Sequence, residues 1–396
     1  METLENIFIK YIEKEKYPGV QWKIIQKSSV YEGLVGYKNL EKKEDILPDT
    51  IYRIWSMTKP VVAIAAMQLV ENEKLNLNDP INSYLPEFSN LKVLKNLDSK
   101  ITEVVDLEKQ PTIKNLLLHT AGFSYNFLGD ILGFEYDKIN LFNSSTSTLE
   151  QEINLLSKLP LLFQPSTMWR YSVSMDVLGR ILEVITQTTL QEILSNQIFK
   201  PLKMNKTGFN VLESDTDLLM NSYEFDPLKK KLTEHILEPQ RIGNYGHPVN
   251  NLNYARGGHG LYSTTEDFMT FVQMLHTGTT KDGKKIISKK LIDFMTTNQL
   301  ENKLFPIEIL NIATNKDESY TNDLDGYGWG MGFRTLMSPE KNNYFGSIGE
   351  FGWSGAASTY FLADPKKEIS AVLMTQVLNG DVSLKKDFYE FIYTNY

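Results

Sequence analysis

Strand-like patterning in this chain of 396 residues is confined to its two ends, and the long stretch between them reads as helix and loop. Near the N-terminus, residues 19–26 and 30–37 read as two strands joined by a polar turn, following an amphipathic helix at 5–16. Strand signals return only at 330–336, 344–349, 357–363 and 369–376, ahead of a closing helix at 384–393. Between about residues 77 and 254 the pattern is mostly helical with long loops, the helices at 113–118, 148–158, 174–186 and 190–199, and strand signals nearly vanish. A sheet assembled from both chain ends must enclose whatever lies between them. The expectation is an α/β (α+β) fold. Residues 1–75 and 255–396 would form an antiparallel sheet flanked by terminal helices, and 76–254 an inserted, mainly helical domain with a cleft between the two. The length supports this division, because a single core rarely organises so many residues.

Bulk composition removes several classes of function. A hydrophobic fraction of 41% and a charged fraction of 23% are those of a folded chain. The net charge of -8, with both signs interspersed, argues against a nucleic-acid partner. No apolar run reaches the roughly 18 residues needed to cross a bilayer, so no membrane partner is expected. Cysteine is absent, which excludes disulfides, thiolate catalysis and cysteine-ligated zinc. Acidic residues mixed into the first ten positions do not read as an export signal, and a cytoplasmic location is expected. Oligomeric state is left open.

Four Ser-x-x-Lys tetrapeptides occur, at Ser56, Ser89, Ser338 and Ser383. Only Ser56 opens a long apolar stretch, 61–70, which is too long for a strand and reads as a buried helix. Pro60 suits its first turn, where a backbone N–H has no intrahelical partner. Positions i and i+3 share a helix face, so Lys59 can direct its amine at the Ser56 hydroxyl. A free lysine amine, with a pKa of about 10.4, is a poor base at neutral pH, and burial is the route to lowering it. The plain alternative is that Ser56 caps a helix while Lys59 is solvated.

Two further segments carry chemistry. Trp169-Arg-Tyr171-Ser-Val173 precedes an apolar helix beginning near Ser174, where a tyrosine hydroxyl could relay protons. With 20 tyrosines in the chain, that residue alone is more simply a packing residue. Phe351-Gly-Trp353-Ser354-Gly355-Ala356 is a glycine-rich entry to a strand. Read as an edge strand lining the cleft, it would let the N–H groups of Ala356 and Ser56 form an oxyanion hole. A plain turn before a strand is its bland reading.

Taken in order, Ser56-Met-Thr-Lys59, Tyr171-Ser-Val173 and Trp353-Ser-Gly355 resemble the three active-site elements of the serine β-lactamase and penicillin-binding-protein superfamily. The resemblance is nearest to its class C β-lactamase-like branch, which includes the family VIII carboxylesterases. Leu116-Leu-Leu-His119-Thr-Ala-Gly122-Phe and Arg256-Gly-Gly-His-Gly260-Leu-Tyr-Ser-Thr-Thr-Glu-Asp267-Phe are similar to stretches common in that branch. It implies Ser56 as acylated nucleophile, Lys59 and Tyr171 as proton carriers, and Val173, Trp353, Ser354, Gly355 and Ala356 at the substrate and oxyanion positions. Two departures bear on substrate. Trp353 stands where lactamases and D,D-peptidases carry Lys or His, and offers no charge to a substrate carboxylate. Val173 stands where class C lactamases carry an amide-reading asparagine.

Both departures favour a small-molecule carboxylic ester as substrate. D-amino-acid peptide or amide hydrolysis, weak lactam turnover and acyl transfer share the same acyl-enzyme and are alternatives, as is a silent penicillin-binding-like module that keeps the fold alone. Gly352-Trp-Ser354-Gly lacks the Gly-x-Ser-x-Gly spacing of an α/β-hydrolase elbow. The five histidines, His119, His235, His247, His259 and His276, show no His-Glu-x-x-His spacing, so no catalytic metal and no cofactor are expected. The 326–332 glycines lack a dinucleotide fingerprint and read as close strand packing.

Overall fold

A computed structural model describes residues 2–142, 147–226, 228–229, 231–235, 255–309, 323–341 and 346–396. Its centre is an eight-stranded antiparallel sheet whose strands come from both chain ends. The N-terminal part supplies β1 (Gly19–Gln26), β2 (Ser29–Asn39) and β3 (Glu44–Asp45). A short β4 (Ile51–Arg53) lies outside the sheet and pairs with β9 (Tyr262–Thr264). The C-terminal part supplies β10 (Tyr327–Trp329), β11 (Arg334–Leu336), β12 (Phe351–Gly355), β13 (Thr359–Asp364) and β14 (Ile369–Met374). The order is β10-β11-β12-β13-β14-β1-β2-β3, and the two ends meet where Trp22 of β1 faces Leu373 of β14.

Both faces of the sheet are buried at its centre, which explains why β14 reads Ile-Ser-Ala-Val-Leu-Met with little polar alternation. Successive side chains point to opposite faces. Leu362 and Leu373 join Leu4 and Phe8 of α1 (Leu4–Glu13) and Phe388 and Ile392 of α11 (Ser383–Asn395) on one side. Phe361, Val372 and Met374 join the larger core on the other, where Phe361 packs edge-on against Phe268 of α9 (Thr265–Thr277) at 5.3 Å.

Within that larger core runs α2 (Thr58–Glu71). Every residue from Thr58 to Met67 is buried, so the helix has no solvent-facing stripe and is an internal strut. The middle of the chain contributes α3 (Ile113–Leu117), α4 (Ile131–Lys138), α5 (Leu149–Leu156), α6 (Ser174–Thr186), α7 (Leu190–Leu194) and α8 (Lys200–Leu202). Of these, α6 packs against α2, α3, α5 and α7. α10 (Lys289–Met295) packs on α9.

Four expectations are corrected. The strand expected at 344–349 begins later: residues 344 and 345 lie outside the described residues, 346–349 are irregular with a turn at 348–349, and the strand is β12. β12 is also internal to the sheet, whereas the glycine-rich segment was expected at an edge. Its pairing with β11 nevertheless stops at Gly352, so from Trp353 onward it is bonded only to β13. The expected strand at 357–363 starts at Thr359, after a turn with Ser358 at φ 60°. Finally, the middle of the chain is not free of strands. β5 (Lys92–Leu94) pairs with β6 (Val104–Asp106), and β7 (Tyr223–Asp226) lies between β8 (Lys231–Glu234) and β15 (Val377–Leu378). These segments are short and rich in charge, and their pairing is set by neighbours distant in sequence.

Candidate active site

The site is organised around the turn preceding α2. Residues Trp55–Met57 form a single 3₁₀ turn that runs directly into the helix, and Trp55 sits at φ 48°, a left-handed conformation rare for a bulky residue. Thr58 fastens this turn, donating through its hydroxyl to Trp55 O at 2.6 Å and accepting from the Leu261 N–H at 3.3 Å. No side chain caps either the turn or the helix, so the Ser56 hydroxyl is not spent as a cap. Instead it lies 3.2 Å from Lys59 Nζ, one helical turn on.

Lys59 is 1% exposed and also donates to Gly258 O at 2.7 Å. Burial pulls its amine down to about 7, opposed by the negative charge of Asp176. Aromatic rings cover the ammonium, with Tyr171 4.6 Å and Tyr125 5.0 Å from it to centroid. Their quadrupoles return part of the hydration the cation loses.

Tyr171 arrives from the loop before α6. The loop's backbone is held by the segment that follows α3: Arg170 N donates to His119 O at 2.9 Å and Val173 N to Ser124 O at 3.1 Å. Gly122, at φ 98°, turns that segment, and a Cβ there would stand 2.6 Å from Phe163 O. The Tyr171 hydroxyl is hydrogen-bonded with Ser56 and accepts from Trp353 Nε1 at 3.2 Å. Burial raises its pKa well above the ordinary phenol value, so at neutral pH it carries its proton.

Gly355 brings the third element in. A Cβ at that position would lie 2.4 Å from Ile54 O, so only glycine lets the end of β12 rest against the segment leading to Ser56. Beyond it, Ala356 joins Ser56 and Val173 in the wall of a cavity of about 430 Å³, with Trp55, Tyr125, Phe127, Tyr136, Leu141 and Phe142. Ser354 is half-buried. The Trp353 indole does not reach that wall. It is buried behind Tyr171, its ring 4.6 Å from that of Trp329. Ser56, Lys59, Tyr171 and the strand end are thus gathered at one place from three distant parts of the chain.

Reading the sequence alone missed two groups. Asp176 is fully buried and accepts from the Gly258 N–H at 3.0 Å, and the Gly258 carbonyl in turn faces Lys59. The Arg256-Gly-Gly-His segment was noticed for its resemblance and given no task. Its two glycines admit close approach, since a Cβ on Gly257 would fall 1.8 Å from Met175 O and one on Gly258 2.6 Å from Asp176 Oδ2. Among the described residues there is no group of three metal-ligating side chains.

A serine and lysine one turn apart beneath a shared tyrosine, on this sheet-and-helix frame, define a β-lactamase-fold protein. The Beta-lactamase family model matches residues 4–391, and the chain belongs to that family. It is 28% identical over 382 residues to the lovastatin esterase of Penicillium rubens, covering 93% of this chain and 91% of that protein. It is 24% identical to esterase EstB of Burkholderia gladioli, over 94% of this chain and 89% of that one. Among solved structures, EstCE1, described as a hydrolase with promiscuous acyltransferase activity, superposes with a TM-score of 0.79 at 23% identity, covering 98% of this chain and 97% of EstCE1.

Proposed function

We propose that this protein is a serine hydrolase that cleaves small-molecule carboxylic esters through an acyl-enzyme on Ser56. The observation that carries the reading is the 3.2 Å contact of Lys59 Nζ with Ser56 Oγ inside a buried aromatic shell. In its neutral form Lys59 accepts the Ser56 proton as Oγ attacks the ester carbonyl. The N–H groups of Ser56 and Ala356 receive the developing oxyanion. Tyr171, which stays protonated, donates to the departing alkoxide and then takes back a proton from the Lys59 ammonium beside it, since the acylated Ser56 oxygen carries none. Water then enters by the reverse route and releases the acid.

The described cavity wall supports a neutral substrate. It is largely aromatic and aliphatic, and Val173 has no hydrogen-bonding group. Its carboxylate and imidazole groups are those of Glu224, His235 and His259, with no lysine or arginine among its described residues to pair with a substrate carboxylate. Two esterases among the relatives agree with this reading. Acyl transfer is the second reading, favoured by the activity named for EstCE1, and differs only in an alcohol replacing water. The division into a 1–75 and 255–396 domain and a 76–254 domain, with the site in the cleft between them, belongs to the same proposal, as does a cytoplasmic location. Among the described residues no helix is long and apolar enough to cross a membrane.

The test is a panel of short-chain aryl esters, nitrocefin and D-alanyl peptides, joined to fluorophosphonate labelling and peptide mapping. Aryl esters should turn over fastest, with the adduct on Ser56. Ser56→Ala should abolish both signals, and Lys59→Ala and Tyr171→Phe should each lose at least about a hundredfold in kcat/KM. Preferential turnover of D-alanyl peptides, or an adduct elsewhere, would sink the proposal.

A further inference from the structure

We infer that Asp176 is a positioning residue for Lys59, acting through the Gly258 peptide group to hold the amine on Ser56 and through its charge to set that amine's basicity. The inference rests on the reading of Lys59 as the base. Its geometry is a chain of contacts: Asp176 Oδ1 accepts from Gly258 N–H at 3.0 Å, and the carbonyl of that same residue accepts from Lys59 Nζ at 2.7 Å. One buried carboxylate thereby orients the peptide that grips the lysine. Asp176 Oδ2 is buried with no hydrogen-bond partner among the described residues, an expensive condition for a carboxylate that serves only packing.

Space around these atoms has been cleared for them. Glycine at 258 leaves room for Asp176 Oδ2 and the Tyr125 hydroxyl, which a Cβ would meet at 2.6 and 2.5 Å. Gly257 lets the backbone touch that of Met175, next to Asp176. The charged and titratable groups facing Asp176 are Lys59 on α2, Arg256 before β9 and Glu152 on α5; Tyr171 also feels its charge. Lys59 is faced besides by His119, after α3, and His259, before β9, both held neutral by burial and by the lysine's charge. Arg256 is largely engaged by Glu152 at 3.4 Å and by Ser147 O at 3.0 Å, which leaves Lys59 as the principal cation for Asp176. Burial drives the carboxyl upward and the amine downward, while each charge opposes the other's shift. The pair therefore titrates as a unit.

Removing the negative charge while keeping the acceptor makes the lysine easier to deprotonate and a weaker base. In Asp176→Asn, the acidic limb of the kcat/KM profile should move down by about one to three pH units, and the plateau rate should fall roughly tenfold. The pH dependence of fluorophosphonate labelling of Ser56 should move in parallel. An unchanged midpoint in a folded Asp176→Asn protein would overturn the inference, leaving Asp176 a packing residue. Should the variant not fold, titration of the wild-type protein decides. With ¹⁵N-labelled lysine and ¹³C-labelled aspartate, the Lys59 and Asp176 resonances should each report both midpoints, and independent single titrations would overturn the inference. The two readings fail separately. Wild-type protein that never labels on Ser56 defeats the hydrolase, whereas labelled protein with an unmoved Asp176→Asn profile defeats only the role of Asp176.

Discussion

Trp353, Tyr171 and Ser56 form a short hydrogen-bonded series. The indole N–H of Trp353 occupies a lone pair of the Tyr171 oxygen, and the tyrosine is left to face Ser56. Trp353→Phe keeps an aromatic ring among its neighbours and removes only that donor. A neutral hydrogen bond contributes about 0.5–1.5 kcal/mol, so kcat/KM should fall about two- to tenfold while the melting temperature barely moves. An unchanged rate would show that packing alone holds Tyr171. Residues that act over one helical turn were legible in sequence, because the i and i+3 relation between Ser56 and Lys59 is fixed by helix geometry. Asp176 and Gly258 were not, since their contact spans 82 positions and no local pattern encodes it.

At the scale of elements, the buried helix α2 and the strands of both chain ends followed from hydrophobic runs and alternation. Loop-borne features did not. The turn at 356–358 and the true start of β12 depend on where a neighbouring strand can pair, which is decided between strands. The glycines at 326–332 read as close strand packing, but Gly330 lies between β10 and β11 and its close approach is to the end of α10, where a Cβ would sit 2.0 Å from Met295 O. The same logic makes Gly257→Ala severe. Its Cβ would collide with the Met175 backbone at 1.8 Å, which no rotamer relieves, and the expected loss is at least about 3 kcal/mol in chemical denaturation. Gly208→Ala is the control, with its nearest neighbour atom 3.6 Å away, and should stay near wild type.

On the scale of the whole molecule, the chain ends are joined by the sheet and by a buried cluster beneath α11. Glu350 lies there with Arg334, Asp364, Lys385 and Tyr393 around it, and burial raises its carboxyl to about 7. A carboxyl whose folded pKa lies above its unfolded value binds its proton more tightly when folded. Its contribution therefore falls as pH rises from about 4.5 to about 7 and is constant beyond. Glu350→Gln should flatten the decline in thermal stability over that window, as followed by melting temperature against pH. A decline of unchanged slope would place its cause elsewhere.

By itself the sequence pointed to Ser56, Lys59 and Tyr171 as candidates and to one sheet shared by both ends, because helix spacing and strand alternation are local rules. It also determined that Trp353 and Val173 bring no charge or amide to a substrate. Only the tertiary structure decided that the indole stands behind Tyr171, that a strand end reaches Ser56 beside Gly355, and that Asp176 addresses Lys59 through a peptide group. Those are contacts between segments far apart along the chain, and their distances are fixed only when the core closes around them.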